Sequence, residues 1–387
     1  MRRRFLRSLL GSCLLISACA ACAQEAAKEA AKEELHVLLG FTSPLSGTQG
    51  VGGTDALNGA RMAIERINRQ DMRIGGQPAR FELLVKDDRA NPERGMEIAQ
   101  EFAQVKVSAV LGPFNSSVAM AAAKIYNQRR VPILTVASNP AVTRADYDYV
   151  FRLGASDGDM GRKLAQYAAR TLRFKRAVIV NDGSDYAAGL INEFQAAARL
   201  EGLQTAMVFQ LSVHASDPEV RGVLGQIREA APDVVFFAGY VPQAAQLLRE
   251  MSREKMDLPM LAGDAQCSLE MFRLATHSMG GGVYCVQGGV WLTRVADGAV
   301  FSAAYQNRYG RPPDVYAASF YDGVMLLAQA MKTAGSAQPE KFVPVLARGR
   351  YKGITAIYEF DAKHDLKDSD VTILRLKDGA LVPLASF

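Results

Sequence analysis

Val107-Ser108-Ala109-Val110-Leu111-Gly112-Pro113-Phe114-Asn115-Ser116-Ser117 and Pro132-Ile133-Leu134-Thr135-Val136-Ala137-Ser138-Asn139-Pro140 state one theme twice. Each opens with an apolar run of strand length and ends in a loop of Ser and Asn that leads into a helical pattern. Strand, loop and helix in that order form the unit of a parallel sheet covered by helices. A helix N-terminus leaves backbone N–H groups unpaired, and neutral hydroxyls beside them hold a carboxylate without a counter-cation. Ser116, Ser117 and Ser138 are therefore candidate carboxylate ligands. Each taken alone also suits the commonest use of Ser at such a place, which is to cap the helix.

The alternation continues on both sides of these loops. Strand patterns fall at His36–Phe41, Phe81–Lys86, Ala177–Asn181, Ala206–Gln210, Asp233–Phe237, Met260–Leu261 and Val283–Val286. Helical patterns separate them at Asn58–Asn68, Pro92–Val105, Gly161–Leu172, Gly189–Leu200, Pro218–Ala230 and Pro242–Ser252. That many strands with long crossovers exceed one comfortable sheet, so two doubly wound α/β lobes are expected. Toward the C-terminus Val315–Thr333 and Pro339–Leu346 read as helices, and Ile354–Phe360 and Val371–Leu376 as strands.

The chain has 387 residues, 49% of them hydrophobic and 22% charged, enough to bury a large core. Its net charge of +5 includes Arg2, Arg3, Arg4 and Arg7. Without these four the remainder carries about +1, which points to no nucleic-acid partner. The basic residues, the apolar run Ser8–Ile16 and the small residues that follow have the layout of an export signal spanning residues 1–18. Leu15-Ile16-Ser17-Ala18-Cys19 resembles a lipobox that would leave an acylated Cys19 at the mature N-terminus, while Ala21-Cys22-Ala23 before Gln24 is a competing cleavage site. Arg2-Arg3-Arg4-Phe5-Leu6-Arg7 suits a twin-arginine route or a plain basic region for the Sec route. Residues 19–35, rich in Glu-Ala-Ala-Lys, read as a semi-rigid tether. In the body Cys267 and Cys285 remain, either paired in an oxidising compartment or two buried thiols.

Catalytic signatures are missing. The four histidines are scattered with no second ligand at metal spacing, so no metal and no cofactor is expected. Gly50-Val51-Gly52-Gly53 has Asp55 where a dinucleotide loop needs its third glycine. No phosphate-binding P-loop occurs, and the serines and carboxylates have no base partner in sequence. An enzyme is not indicated.

Several stretches share an order and spacing: Pro44-Leu45-Ser46-Gly47 with Asn58-Gly59-Ala60, Asp87-Asp88 with Asn91-Pro92, Gly112-Pro113 with Ser116, and Ala137-Ser138-Asn139-Pro140. Arg152 with Asp157 and Gly161, Asp185-Tyr186 with Gly189, Gly239-Tyr240, and Tyr316-Ala317-Ala318 with Tyr321-Asp322 continue the series. In these the chain resembles the leucine/isoleucine/valine-binding branch of the type I periplasmic binding proteins, from about Val37 to about Leu376. The resemblance implies a hinge of three crossings near Gly154–Gly158, Val286–Val290 and Asp361–Lys367. It places residues 36–156 and 288–364 in one lobe, and residues 157–287 and 365–387 in the other. It implies capture of an amino acid, branched-chain or related, for an ABC permease and ATPase in the inner membrane. A periplasmic sensor of a small amide or carboxylic acid is the alternative.

Carried across by position, the resemblance gives Ser116 and Ser138 the ligand carboxylate and Asp264 its ammonium. Tyr240 becomes an aromatic wall from the second lobe, Tyr186 a pocket edge, and Ser117 and Val136 the neighbours of the two serines. Asp264 and Tyr240 also suit a helix cap and a strand-end aromatic. Gly52 stands where the family has an aromatic beside the ligand side chain, which either enlarges the pocket or leaves space for Phe114. Asn115 stands where the family has one cysteine of a first-lobe disulfide.

Overall fold

The computed structural model describes residues 34–276 and 278–387; the export signal, Cys19 and nearly all of the tether lie outside them. One sheet contains β1 (Leu35–Ser43), β2 (Arg73–Ile74), β3 (Gln77–Asp87), β4 (Ala109–Leu111), β5 (Ile133–Thr135) and β6 (Val150–Arg152), in the order β2-β3-β1-β4-β5-β6. The pairs β1–β3, β1–β4, β4–β5 and β5–β6 are parallel. The other sheet contains β7 (Arg176–Asn181), β8 (Gln204–Gln210), β9 (Val234–Ala238), β10 (Met260–Ala262) and β11 (Val283–Gly288). It is extended at one edge, after the small hairpin β12 (Tyr351–Lys352) and β13 (Ile357–Tyr358), by β14 (Val371–Lys377) and β15 (Ala380–Ser386). The second sheet is ordered β15-β14-β11-β10-β9-β7-β8, with β14 and β15 antiparallel.

Both sheets reverse direction in the same way. From β1 the chain builds β3 on one side and then returns to β4 on the other, and from β7 it builds β8 and then returns to β9. Such a reversal opens a crevice beyond the carboxyl ends of the strands, where α/β sheets bind ligands. Ser116 and Ser138 follow β4 and β5, while Tyr186, Tyr240 and Asp264 follow β7, β9 and β10. Each candidate site residue from the first lobe thus has a counterpart at the same edge of the second.

Several elements differ from the sequence expectations. Helix Gly50–Arg69 starts well before Asn58, because its glycines serve close packing rather than a loop. A Cβ at Gly53 would lie 1.8 Å from the Pro44 carbonyl oxygen, so the chain leaving β1 and the helix meet only over hydrogen. The loop after Ser138 leads into a single turn, Ala141–Arg144, too short for an N-terminal dipole of consequence. The expected strand Ile354–Phe360 shrinks to β13, which pairs with β12 outside both main sheets. In the stretch expected to hold the third crossing, His364 stacks on Phe151, Asp365 accepts from Arg152, and Leu366 joins the core around Phe151 and Phe360. β6, β15 and helix Ala296–Tyr309 carry no distinct signal of their own in the sequence reading.

Helices Ala296–Tyr309, Ala317–Ala334 and Pro339–Arg348 return to the first lobe and complete its core. Phe320, Val324, Leu327 and Met331 pack there with Val37, Leu39 and Phe41. Cys267 and Cys285 form a disulfide, with Cα atoms 5.5 Å apart, that ties the loop after β10 to β11. Among the described residues no helix is long and apolar enough to cross a membrane.

Candidate functional site

The two serine loops are tied together before any solute is considered. Thr135 Oγ1 donates to the Pro113 carbonyl (2.5 Å) and accepts from the Ala137 N–H (3.0 Å), and the Asn139 N–H reaches Ser116 Oγ (3.4 Å). Arg152, fully buried, braces the second loop from behind. Its guanidinium donates to the carbonyls of Ala137 and Asn139, which flank Ser138, to Thr143 and to Asp365. Ser116 is the first residue of helix Ser116–Gln128 and Asn115 its cap, so Ser116 Oγ is not used for capping. Ser117 is half-buried, and among the described residues no side-chain hydrogen bond joins it to this network.

Across from the serines, Asp264 is buried and accepts from the hydroxyls of Tyr186 (2.6 Å) and Tyr316 (2.7 Å). Gly263 makes this possible, since a Cβ there would stand 2.1 Å from the Tyr186 hydroxyl. Tyr186 and Tyr240 lie with ring centroids 5.3 Å apart, and the Tyr240 N–H is fixed by Asp182 (2.7 Å). Burial raises the Asp264 carboxyl above the ordinary carboxylate range despite the two tyrosines.

Asp157, at the start of helix Asp157–Arg170, is a second buried carboxyl in the same place. Its N–H donates to the Ser138 carbonyl (2.9 Å), and neither of its carboxyl oxygens has a hydrogen-bond partner. Burial and then the neighbouring Asp264 push it up to about 8, with the positive charge of Arg152 pulling the other way. Asp157 and Tyr316 are the site residues to which the sequence reading assigned no role. Both stand in stretches that carry the resemblance, but Asp157 reads as an ordinary first-turn carboxylate and Tyr316 is distant in sequence from every other member.

The family profile described as periplasmic binding protein matches residues 36–380. The chain belongs to the periplasmic binding protein family. Among curated proteins, the Leu/Ile/Val-binding protein homolog 1 of Brucella abortus is 26% identical over 352 residues, covering 89% of this chain and 91% of the relative. The leucine-, isoleucine-, valine-, threonine- and alanine-binding protein of Pseudomonas aeruginosa is 25% identical, covering 87% and 89%. Among solved structures, a leucine-binding protein of Thermotoga maritima has a TM-score of 0.81 and 25% identity, covering 90% of this chain and 98% of its own. This is a family of solute binders, not of enzymes.

In this periplasmic binding protein the lobes touch across the cleft. Tyr316 of the first lobe meets Asp264 of the second, Ser268 Oγ donates to Asp314 Oδ2 (2.6 Å), and Asn139 donates to the Asp185 carbonyl (2.6 Å). One cavity, about 50 Å³, has Gly52, Phe114, Tyr240, Ala265, Val315 and Tyr316 on its walls; another, about 20 Å³, has Val136, Met160 and Asp264. Phe114 stands against Gly52, whose Cβ would lie 3.4 Å from its ring, and packs edge-on against Tyr316. A ligand pocket usually measures hundreds of cubic ångströms, so both cavities are smaller than a solute-filled pocket. Ser116, Ser138, Tyr186 and Asp157 border neither of these two cavities.

Proposed function

We propose that this chain captures an amino acid, branched-chain or related, between its lobes and presents it to an ABC permease and its ATPase. The observation that carries this reading is the pairing of opposites across one cleft. Neutral hydroxyls on Ser116 and Ser138 suit a carboxylate, and the buried carboxyls of Asp264 and Asp157 suit an ammonium. Phe114, Tyr240 and Tyr316 supply an apolar wall for a side chain. The names of the relatives, which specify leucine, isoleucine and valine, support the same choice. Because the solute touches both lobes, its binding favours the closed arrangement that a permease recognises. In this proposal residues 36–156 and 288–366 form the first lobe and residues 157–287 with the C-terminal strands form the second.

Amino acids that fit should raise the thermal midpoint of the purified protein, since a ligand that binds the native state stabilises it by mass action. Ser116→Ala should weaken an amino acid and its deaminated analogue alike in calorimetry, because both present the carboxylate. An analogue that binds Ser116→Ala as well as the parent protein would remove Ser116 from the carboxylate site.

We further propose that Cys19 is acylated and that residues 19–35 hold the binding body off a membrane surface. Intact-mass measurement of the protein extracted from its native host should show a diacylglycerol-modified chain beginning at Cys19. A mature chain that begins at Gln24 would overturn this.

A further inference from the structure

The side-chain end of the cleft does not stop at Tyr316. A larger cavity, about 490 Å³, lies between the lobes beside it, walled by Leu269, Trp291, Leu292, Pro313 and Leu381, with the Cys267 half of the disulfide at its edge. It shares Val51, Glu270, Asp314 and Val315 with the small pocket under Phe114 and Tyr240. The Ser268–Asp314 hydrogen bond (2.6 Å) spans the lobes at this junction, with Ser268 on the small pocket and Asp314 on both. A bond between an exchangeable hydroxyl and a carboxylate is a contact that lobe opening breaks at modest cost.

The direction of a bound amino acid follows from the proposed function, on which this inference rests. With the carboxylate at Ser116 and Ser138 and the ammonium at Asp264 and Asp157, the side chain points to the small pocket, where Val51, Phe114, Tyr240, Val315 and Tyr316 stand among polar neighbours such as Gln49 and Ser268. That pocket holds only about 50 Å³, so a side chain longer than a few carbons needs somewhere to go. We propose that the cavity lined by Trp291 is the continuation of the side-chain pocket, and that the chain accepts α-amino acids with elongated apolar side chains whose tips pass Asp314 into it. The occupant is the solute itself rather than a partner protein, because the cavity shares walls with the small pocket of the cleft and Leu269, Trp291, Leu292, Pro313 and Leu381 give it an apolar stretch beside the charged Glu270, Arg273 and Arg311.

Trp291 is the one tryptophan of the chain and stands on the cavity wall, so the emission comes from that wall. The test is a series of linear α-amino acids, from alanine and norvaline through norleucine to 2-aminooctanoic acid, titrated against the full-length mature protein by calorimetry and by tryptophan fluorescence. Affinity should increase by about threefold to fourfold for each methylene added beyond norleucine, as expected for burial of a CH₂ group. The longer ligands should shift the Trp291 emission beyond any shift caused by alanine or norvaline, which close the lobes without reaching the cavity. Ala380→Phe, on the cavity wall and remote from the serines and carboxyls, should cancel the gain for 2-aminooctanoic acid and leave norvaline unchanged. If norvaline binds and 2-aminooctanoic acid binds no more tightly, with equal emission for both, the cavity is not a solute subsite and the amino-acid reading stands. If no amino acid of the series binds, the proposed function fails and this inference falls with it.

Discussion

Asp264→Asn is expected to weaken amino-acid binding by roughly tenfold or more, since a hydrogen bond to a charged group contributes about 1.5 to 3 kcal/mol. The substitution preserves shape and removes the charge that an ammonium needs. It also disturbs the scaffold, because Tyr186 and Tyr316 both donate to Asp264 and an Asn side chain offers one acceptor oxygen where the carboxylate offers two. The contrast with a deaminated analogue separates these effects. The analogue retains the carboxylate and loses the ammonium, so Asp264→Asn should reduce its affinity much less. Calorimetry of both ligands against both proteins makes the comparison. Equal amino-acid affinity in the variant and the parent would show that the ammonium does not lie at Asp264.

The second large effect concerns Asp157 and pH. Its folded carboxyl is pushed up to about 8 from an ordinary 3.8, chiefly by burial and then by Asp264. Between those values the folded chain holds a proton that the unfolded chain has released. The stabilisation associated with that proton is complete below about pH 3.8 and declines as pH increases toward 8. Asp157→Asn should therefore raise the thermal midpoint of the ligand-free protein at pH 8 more than at pH 5. An ammonium beside the same carboxyl favours its ionised form, so binding should release about one proton near pH 7, an amount that calorimetry in buffers of different ionisation heat reads directly. The variant should release none and should bind the amino acid more weakly. Parent and variant with equal proton release would place Asp157 away from the ammonium.

The fold was legible where the chain carries its own local instructions. The strands that precede Ser116, Ser138, Tyr240 and Asp264 are short apolar runs ending in loops, and all four residues lie at carboxyl ends of parallel strands. Legibility failed where a residue's role depends on distant packing. Gly50, Gly52 and Gly53 have the composition of a loop, and only the folded neighbours explain them: the Leu45 carbonyl beside Gly50, the Phe114 ring beside Gly52 and the Pro44 carbonyl against Gly53. Arg152 is a buried cation whose partners, Ala137, Asn139, Thr143 and Asp365, come from two stretches more than 200 residues apart. Tyr316 reaches Asp264 only because the chain returns to the first lobe after building the second. Asp157 carries no local mark of its unusual state, because desolvation depends on what surrounds a group rather than on its neighbours in sequence.

That return path also governs how the protein is made. Helix Gly50–Arg69 packs against helix Ala317–Ala334 so closely that a Cβ at Gly59 would lie 1.8 Å from the Ala317 carbonyl oxygen. Arg66 donates to Tyr321, and Asn58 to Tyr305, across more than 240 residues of chain. A ribosome or a translocation pore delivers the first helix long before its partner. No continuous fragment that ends at the first crossing carries a complete lobe, and β11 likewise waits for β14. Contacts this far apart in sequence make slow folding and leave apolar surface uncovered in the interval. The same interleaving that lets one hinge serve both lobes therefore obliges the chain to stay unfinished until nearly its last residue has emerged.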